Sequence, residues 1–168
     1  MQQLNETTEG FRGEYFFLSN FYASPITVEF EGESFTFATG EHVFQGMKVR
    51  AALRPDENEF MLRQLEHAQT PAKAKYWGRS LRIDIKRWDA MAQKCMRRTL
   101  QLKFEQHPDL AQKLVATGQL QLVEYNDWHD QLWGKDSVTR EGQNLLGKML
   151  MQLREDLQRS SPSLATSA

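Results

Sequence analysis

Two runs of alternating residues near the start of this 168-residue chain constrain its fold more than any other feature. In the first run, Ile26, Val28 and Phe30 alternate with polar residues, and in the second, Phe35 and Phe37 do the same. An acidic turn that contains a glycine separates the two runs. Because side chains two residues apart point to the same face of a strand, the pattern predicts a β-hairpin with one buried face.

Helical spacing of apolar residues covers most of the chain after the hairpin. Thr39 and Thr70 stand where N-caps are expected, each directly before a helix-forming segment. The sequence predicts five helices with both ends defined, at 40–53, 71–78, 84–106, 108–116 and 142–158. A sixth predicted helix begins at residue 56. Two further apolar segments, 15–18 and 120–123, are interpreted as extended. We expect residues 1–159 to form a single domain and the tail 160–168 to be disordered.

The charge balance argues against one broad class of function. The net charge is −1 and the isoelectric point is about 6.4, which argues against extensive binding to a nucleic-acid backbone but leaves room for a small phosphate-binding pocket. The cations of the long helix are interpreted as a solvated face: Lys94, Arg97, Arg98 and Lys103.

The cysteine content and the apolar runs bear on the compartment. The single cysteine, Cys95, has no partner for an intramolecular disulfide, which favours a reducing compartment. No apolar run reaches the roughly 18 residues of a membrane span, and the first residues lack the features of a signal peptide. We therefore expect a cytoplasmic protein that does not associate with a membrane. The sequence does not indicate its oligomeric state.

The helix predicted after Thr39 places an acid, an amide and an amine on one face. Glu41, Gln45 and Lys48 are spaced by four and three residues, and Phe44 lies beside them. Such a set is either a surface salt bridge or a site. In the first helical turn the macrodipole favours an ionised carboxylate, the form that stabilises a developing cation or takes a proton from water. The amine of Lys48 is a surface cation, a phosphate ligand or a nucleophile toward a sugar C1.

His42 is a metal ligand in principle. No second histidine or cysteine stands at ligand spacing from it, so a buried or capping imidazole is the better interpretation. The sequence requires no metal and no cofactor.

Asn20 is set among aromatic residues, after Ser19 and before Phe21. Its amide either closes an Asx-turn at the end of a strand or hydrogen-bonds a ribose or base beside the aromatic rings. The spacing alone leaves both interpretations open.

A late loop carries a second group of candidates. It contains Asp130, Trp133 and Gly134, and it leads to Asn144 near the start of the last predicted helix. The tryptophan either plugs the core or stacks on a flat heterocycle. Asn144 either caps the helix or contacts substrate.

An ordered set of short motifs resembles the NADAR family, the YbiA-like or RibX-type N-glycosidases. The motifs fall in family order and cover about residues 15 to 157. They are Leu18-Ser19-Asn20-Phe21, Ser24-Pro25, Glu41-His42-x-Phe44-Gln45-x-x-Lys48, Pro71, Ala74-Lys75-x-x-Gly78-Arg79, Trp88-Asp89, Lys103-Phe104-x-Gln106-x-Pro108, Leu114-x-x-Thr117-Gly118, Leu122-Val123-Glu124, Asp130-x-x-Trp133-Gly134, Gly142-x-Asn144-Leu145-x-Gly147-x-x-Leu150-Met151 and Arg154.

The resemblance implies an α+β fold, mainly α-helical with a small antiparallel β-sheet. It also implies an N-glycosidase that hydrolyses the bond between a ribose carbon and a nitrogenous base or amine. Glu41 and Lys48 are then the catalytic candidates. The substrate-binding candidates are Ser19, Asn20, Phe21, Phe44, Gln45, Asp130, Trp133, Gly134 and Asn144.

We consider three functions for this chain. The first is hydrolysis of the phosphorylated ribosylamino-pyrimidine intermediates of riboflavin biosynthesis, and the second is removal of ADP-ribose from guanine in nucleic acid. The third is a non-catalytic module that binds NAD or ADP-ribose. The expected partner is a small ribosyl phosphate substrate, with ADP-ribosylated nucleic acid as the alternative.

Overall fold

The computed structural model describes residues 7–160, which fall into two compact units. The central unit is Asn20–Gln106, and the terminal unit comprises residues 7–19 and 107–160. The prediction of a single domain over residues 1–159 stays a prediction. The expected disordered tail lies outside the described residues, except for Ser160, which ends the last helix.

The central unit begins with the predicted hairpin, which is confirmed. Strands β1 (Ala23–Phe30) and β2 (Glu33–Thr39) pair antiparallel. Glu31 and Gly32 join them with φ angles of 52° and 87°. Positive φ at both turn residues defines a type I′ turn, whose twist matches that of the two strands.

The buried face of the hairpin is the aromatic part of the core. Ile26 pairs with Phe37 and Val28 pairs with Phe35, and all four side chains are buried. The rings of Phe35 and Phe37 stack with their centroids 6.2 Å apart, and the edge of Phe30 meets both. The alternation in the sequence therefore identified the buried face of the hairpin correctly.

Helix α1 (Gly40–Met47) follows β2 directly, and Thr39 caps it as predicted. The hydroxyl of Thr39 accepts the backbone N–H of His42 at 3.5 Å. The helix is shorter than the predicted 40–53, because the chain tightens into a 3-10 turn at Lys48–Ala51.

Three further helices complete the central unit: α2 (Asn58–Glu66), α3 (Pro71–Ser80) and α4 (Ile85–Gln106). Thr70 caps α3 through the backbone N–H of Lys73. Helical spacing of apolar residues would place Phe60 and Ile85 on buried faces, but they are 63% and 68% exposed. Both lie in the first turn of their helices.

Lys103 departs from its predicted place on a solvated face. Lys94, Arg97 and Arg98 are exposed, but Lys103 is completely buried. It lies four residues after the buried Thr99, so helical spacing puts it on the core side of α4. A lysine can occupy such a position because its long stem is apolar. Burial lowers the pKa of its amine to about 7.

The terminal unit is built mainly from two helices, α5 (Pro108–Ala116) and α6 (Leu145–Ser160), which pack together. A short parallel pair joins β3 (Tyr125–Asn126) to β4 (Lys135–Asp136).

Of the two extended segments predicted in the terminal unit, 15–18 was wrong and 120–123 forms no continuous strand. Residues 15–18 belong to a 3-10 helix, Gly13–Leu18, and their four consecutive apolar side chains carried no period-two signal. In 120–123 only Gln121 pairs, through an isolated bridge to Thr7.

The two units together confirm the fold class, which is mainly α-helical with a small antiparallel sheet. Among residues 7–160, no helix combines the length and the apolar character that crossing a membrane would require.

Candidate functional site

Helix α1 holds Glu41 at the centre of a polar cluster in the central unit. The residue is 7% exposed and lies in the first turn of the helix. Its backbone N–H donates to the carbonyl of Asn20 at 2.9 Å. Its Oε1 accepts a hydrogen bond from Nε2 of Gln45 at 2.6 Å. The carboxylate is therefore buried and held in a fixed direction.

The surroundings of Glu41 act on its charge in opposite directions. Burial raises the pKa of the carboxyl group, and this is the largest effect. The hydrogen bond from Gln45 and the positive charges of Lys75, Lys48 and Arg79 lower the pKa, in that order. The net shift of the pKa is upward, so these groups offset only part of the effect of burial.

Lys48 lies at the other end of this helical face, half-buried, at the start of the 3-10 turn. Its Nζ donates to the carbonyl oxygen of Gly78 at 3.5 Å and lies 5.5 Å from the ring centroid of Trp88. Burial lowers the pKa of the amine most, and Glu41 opposes that effect. Phe44 packs against the same tryptophan with the ring centroids 5.3 Å apart.

Sequence reasoning assigned no role to three residues of this cluster, Lys75, Arg79 and Trp88. Lys75 and Arg79 lie one turn apart on α3, on either side of Gly78, and their charges act on both Glu41 and Lys48. The spacing of four residues was the available signal. Trp88 fits the apolar spacing of α4, which gives no indication that its ring lies beside Lys48.

Asn20 is next to Glu41, but its side chain is turned into the protein. It is 5% exposed, and its Nδ2 donates to the Met96 sulfur at 3.1 Å. Its Oδ1 faces Gly40, where an added Cβ would lie 2.8 Å away, and it has no hydrogen-bond partner within residues 7–160. Its role as a ribose ligand stays a prediction.

The other two residues of that motif differ in position. Phe21 is 39% exposed and belongs to the central unit. Ser19 is half-buried in the terminal unit, and its backbone N–H donates to Phe16.

His42 has the structural role that its sequence context favours. It is completely buried, and its Nε2 lies 3.0 Å from the carbonyl oxygen of Ala68. A carbonyl oxygen only accepts, so Nε2 carries the proton and Nδ1 accepts from the Thr39 hydroxyl at 2.8 Å. Burial lowers the pKa of this imidazole and keeps it neutral.

Within residues 7–160, no group of three or more histidine, cysteine, aspartate or glutamate side chains is arranged to hold a metal ion.

The loop of the terminal unit is organised by Asp130. Its Oδ1 accepts the backbone N–H groups of Leu132 and Trp133 at 3.0 and 2.9 Å. Its own N–H donates to Oδ1 of Asn126. Trp133 is half-buried, and Gly134 passes so close to the Glu124 carbonyl that an added Cβ would lie 2.4 Å from it.

Asn144 joins two segments of the terminal unit. Its Nδ2 donates to the Leu122 carbonyl at 2.9 Å, and its Oδ1 accepts the backbone N–H of Glu124 at 3.1 Å. The same carbonyl of Leu122 explains Gly147, where an added Cβ would lie 2.1 Å from it. Both ends of the amide are thus engaged by backbone, and a substrate contact through this side chain stays a prediction.

The cluster around Glu41 has three chemical capabilities. In its ionised form the carboxylate stabilises positive charge, the cations attract an anion, and the amine of Lys48 has a larger neutral fraction than a free lysine. The ring of Trp88 lies beside the amine, and Phe44 packs against that ring.

Known proteins are similar to this chain in sequence and in fold. Residues 8–158 match the NADAR domain. The chain is 35% identical over 145 residues to N-glycosidase YbiA of Escherichia coli (strain K12), over 86% of this chain and 82% of that protein. It is 31% identical over 156 residues to the chloroplastic riboflavin biosynthesis protein PYRR of Zea mays, over 88% of this chain and 24% of that protein.

A solved structure agrees with the sequence matches. The NMR structure of E. coli YbiA superposes with a TM-score of 0.72 at 33% identity, covering 96% of this chain and 94% of that one. The chain therefore belongs to the NADAR domain family, and its activity is that of an N-glycosidase.

Proposed function

We propose that the chain hydrolyses the N-glycosidic bond of phosphorylated ribosylamino-pyrimidine intermediates of riboflavin biosynthesis. The observation that carries the proposal is one buried carboxylate, Glu41, under the influence of three cationic side chains. The products are the pyrimidine amine and ribose 5-phosphate. The name of the maize relative, a riboflavin biosynthesis protein, supports this substrate class.

The carboxylate matches the charge that the reaction develops. Breaking a C–N bond at a ribose builds positive charge at C1, and an ionised carboxylate near C1 stabilises that transition state. Glu41 is held in one direction by Gln45, so it needs little reorganisation when the charge appears. In hydrolysis, water adds its oxygen to C1 and the departing amine keeps the bonding electron pair and takes up a proton.

The cations match the phosphate of the substrate. Lys75 and Arg79 on α3 lie close enough to Glu41 and Lys48 for their positive charges to act on both groups. A phosphate monoester carries a charge of about −1.5 to −2 near neutral pH, so it is attracted to such a group. The reacting carbon and the phosphate then lie at two ends of one ribose.

Two roles are compatible with the position of Lys48. In the first, its ammonium binds the phosphate. In the second, its neutral amine attacks C1, the glycosidic C–N bond breaks, and water later releases the sugar from the enzyme. Borohydride trapping separates the roles, because only a Schiff base between Lys48 and the sugar yields a stable adduct, which Lys48→Met would abolish.

Incubation of the purified protein with the pyrimidine intermediates tests the proposal. We expect release of ribose 5-phosphate, detected by mass spectrometry. Folded protein that releases none would overturn the assignment.

Substitution of the cations tests the phosphate contact separately. We expect Lys75→Ala to raise KM about tenfold or more and to weaken its salt dependence. Lys73→Ala is the matched control, since Lys73 lies on the same helix but packs over the rings of Tyr76 and Trp77. Equal effects of the two substitutions would count against a specific phosphate contact.

A second candidate is hydrolysis of ADP-ribose from guanine in nucleic acid. The exposed cations Lys94 and Arg97 on α4 favour it, because a polynucleotide needs contacts to backbone phosphates beyond the reacting sugar. Intact ADP-ribosylated oligonucleotide after prolonged incubation would exclude this substrate.

A further inference from the structure

We infer that Gln45 is a positioning residue for Glu41, and that Gly78 is the residue that keeps the Gln45 amide in place. The inference rests on the proposed function for its catalytic consequence. It assigns Gln45 a contact with the catalytic carboxylate in place of the substrate contact that its position in the sequence suggests.

The first observation is the direction of the Gln45 amide. Gln45 is 3% exposed, and its Nε2 donates to Oε1 of Glu41 at 2.6 Å. The two residues are four apart on α1, so the helix itself brings the side chains together. This hydrogen bond lowers the pKa of the Glu41 carboxyl group, because a donor stabilises the charged form more than the neutral form.

The second observation lies on the other side of the same amide. Oε1 of Gln45 rests against the backbone of Gly78 on α3, where an added Cβ would be 2.0 Å from Oε1 and 2.7 Å from Cδ. No real Cβ occupies such a position. This oxygen has no hydrogen-bond partner within residues 7–160. The orientation of the amide is thus fixed by the bond to Glu41 on one side and by the bare backbone of Gly78 on the other.

The third observation is that Gly78 also serves the amine of the cluster. Its carbonyl oxygen accepts from Nζ of Lys48 at 3.5 Å. Gly78 therefore contacts Lys48 directly and contacts the Gln45 amide that holds Glu41. A side chain at this position would push α3 and the Gln45 amide apart.

The charged groups that act on Glu41 from neighbouring elements are Lys48 on the 3-10 turn and Lys75 and Arg79 on α3. Helix α4 presents the neutral ring of Trp88 to Lys48 and Phe44. These cations remain when Gln45 is replaced, so a change in the titration of Glu41 would report on the lost hydrogen bond.

The experiment measures the ionisation of Glu41 in the free protein and in catalysis. The free protein, labelled with 13C at the glutamate carboxyl carbons, is titrated by NMR, with the Glu41 signal assigned by its loss in Glu41→Gln. We expect Gln45→Met, which keeps the volume but removes the donor, to raise the pKa of Glu41 by about one to two units. The acid limb of the pH profile of kcat/KM, which reports ionisation in the free enzyme, should move upward by the same amount.

Gly78→Ala tests the second half of the inference. We expect it to shift the Glu41 titration in the same direction as Gln45→Met. When Gln45 is already methionine, Gly78→Ala should add a smaller shift, because no amide remains to be displaced from Glu41. Gly46→Ala is the matched control, since its added methyl would meet the ring of Phe37 at 3.2 Å and not the amide. It should leave the titration unchanged.

Two results would overturn the inference: an unchanged Glu41 titration in folded Gln45→Met, or an equal shift by Gly78→Ala with and without Gln45. If Gly78→Ala does not fold, Gln45→Met decides the positioning role alone. The NMR titration uses no substrate, so it separates this inference from the proposed function. A failed turnover assay with a shifted titration would count against the substrate and leave the positioning role supported.

Discussion

Replacing Glu41 by glutamine removes the negative charge of the cluster with little change of shape. The new amide oxygen can still accept the bond from Gln45, which at present spans 2.6 Å. A unit charge about 4 Å from the reacting carbon contributes about 4 kcal/mol at an effective dielectric constant of about 20. The charges of Lys48, Lys75 and Arg79 offset part of that field. We therefore expect kcat to fall by about 10² to 10³, with KM changed only a few fold.

Steady-state release of ribose 5-phosphate from the pyrimidine intermediate measures this effect. Thermal unfolding accompanies it, to show that the variant is folded. Glu66→Gln is the control, because Glu66 accepts the backbone N–H of Thr36 and pairs with Arg63. It should lose some stability and keep its activity.

A Glu41→Gln variant that keeps more than about a tenth of wild-type kcat would refute the electrostatic role. The same variant addresses the third function. A non-catalytic module would bind ADP-ribose equally well with either residue and would turn over no substrate with wild-type protein.

Three further predictions concern stability. Burial lowers the pKa of Lys103 to about 7 from 10.5, so the unfolded chain binds more protons between those pH values and wild-type stability rises with pH across that window. Measured by denaturant unfolding, the stability difference between wild type and Lys103→Met should change by up to about 5 kcal/mol, whereas exposed Lys94→Met should show no trend. Thr39→Ala removes the cap of α1 and the hydroxyl bonded to His42, and should cost about 1–2 kcal/mol in urea denaturation. Phe37→Ala empties a completely buried position and should cost about 3–5 kcal/mol by the same measurement; a loss below 1 kcal/mol would contradict the packing argument.

Local patterns predicted the elements well where they carried a clear period or a cap. The alternation around Phe35 and Phe37 identified the hairpin, and Thr39 and Thr70 located the starts of two helices. Prediction failed where the signal was only apolar character. Residues 15–18 carry no period and belong to a 3-10 helix, and the alternation of Leu120 and Leu122 is too short to specify a strand, since only Gln121 pairs, in an isolated bridge.

The candidate site divides in the same way. Glu41, Gln45 and Lys48 were found because helical spacing puts them on one face, and the hydrogen bond between the first two follows from that spacing. Lys75 and Arg79 received no role, because their approach to Glu41 depends on how α3 packs against α1.

The sequence by itself determined the elements, the ordered family motifs and the acid, amide and amine of α1, since these depend on neighbours a few residues apart. Only the tertiary structure decided that Gly78 meets the amide of Gln45. It also brought Lys75 and Arg79 into the field of Glu41. Contacts between helices that are more than thirty residues apart in the chain cannot be predicted from local periodicity. They arise when apolar faces pack, and the polar groups beside those faces are carried into contact.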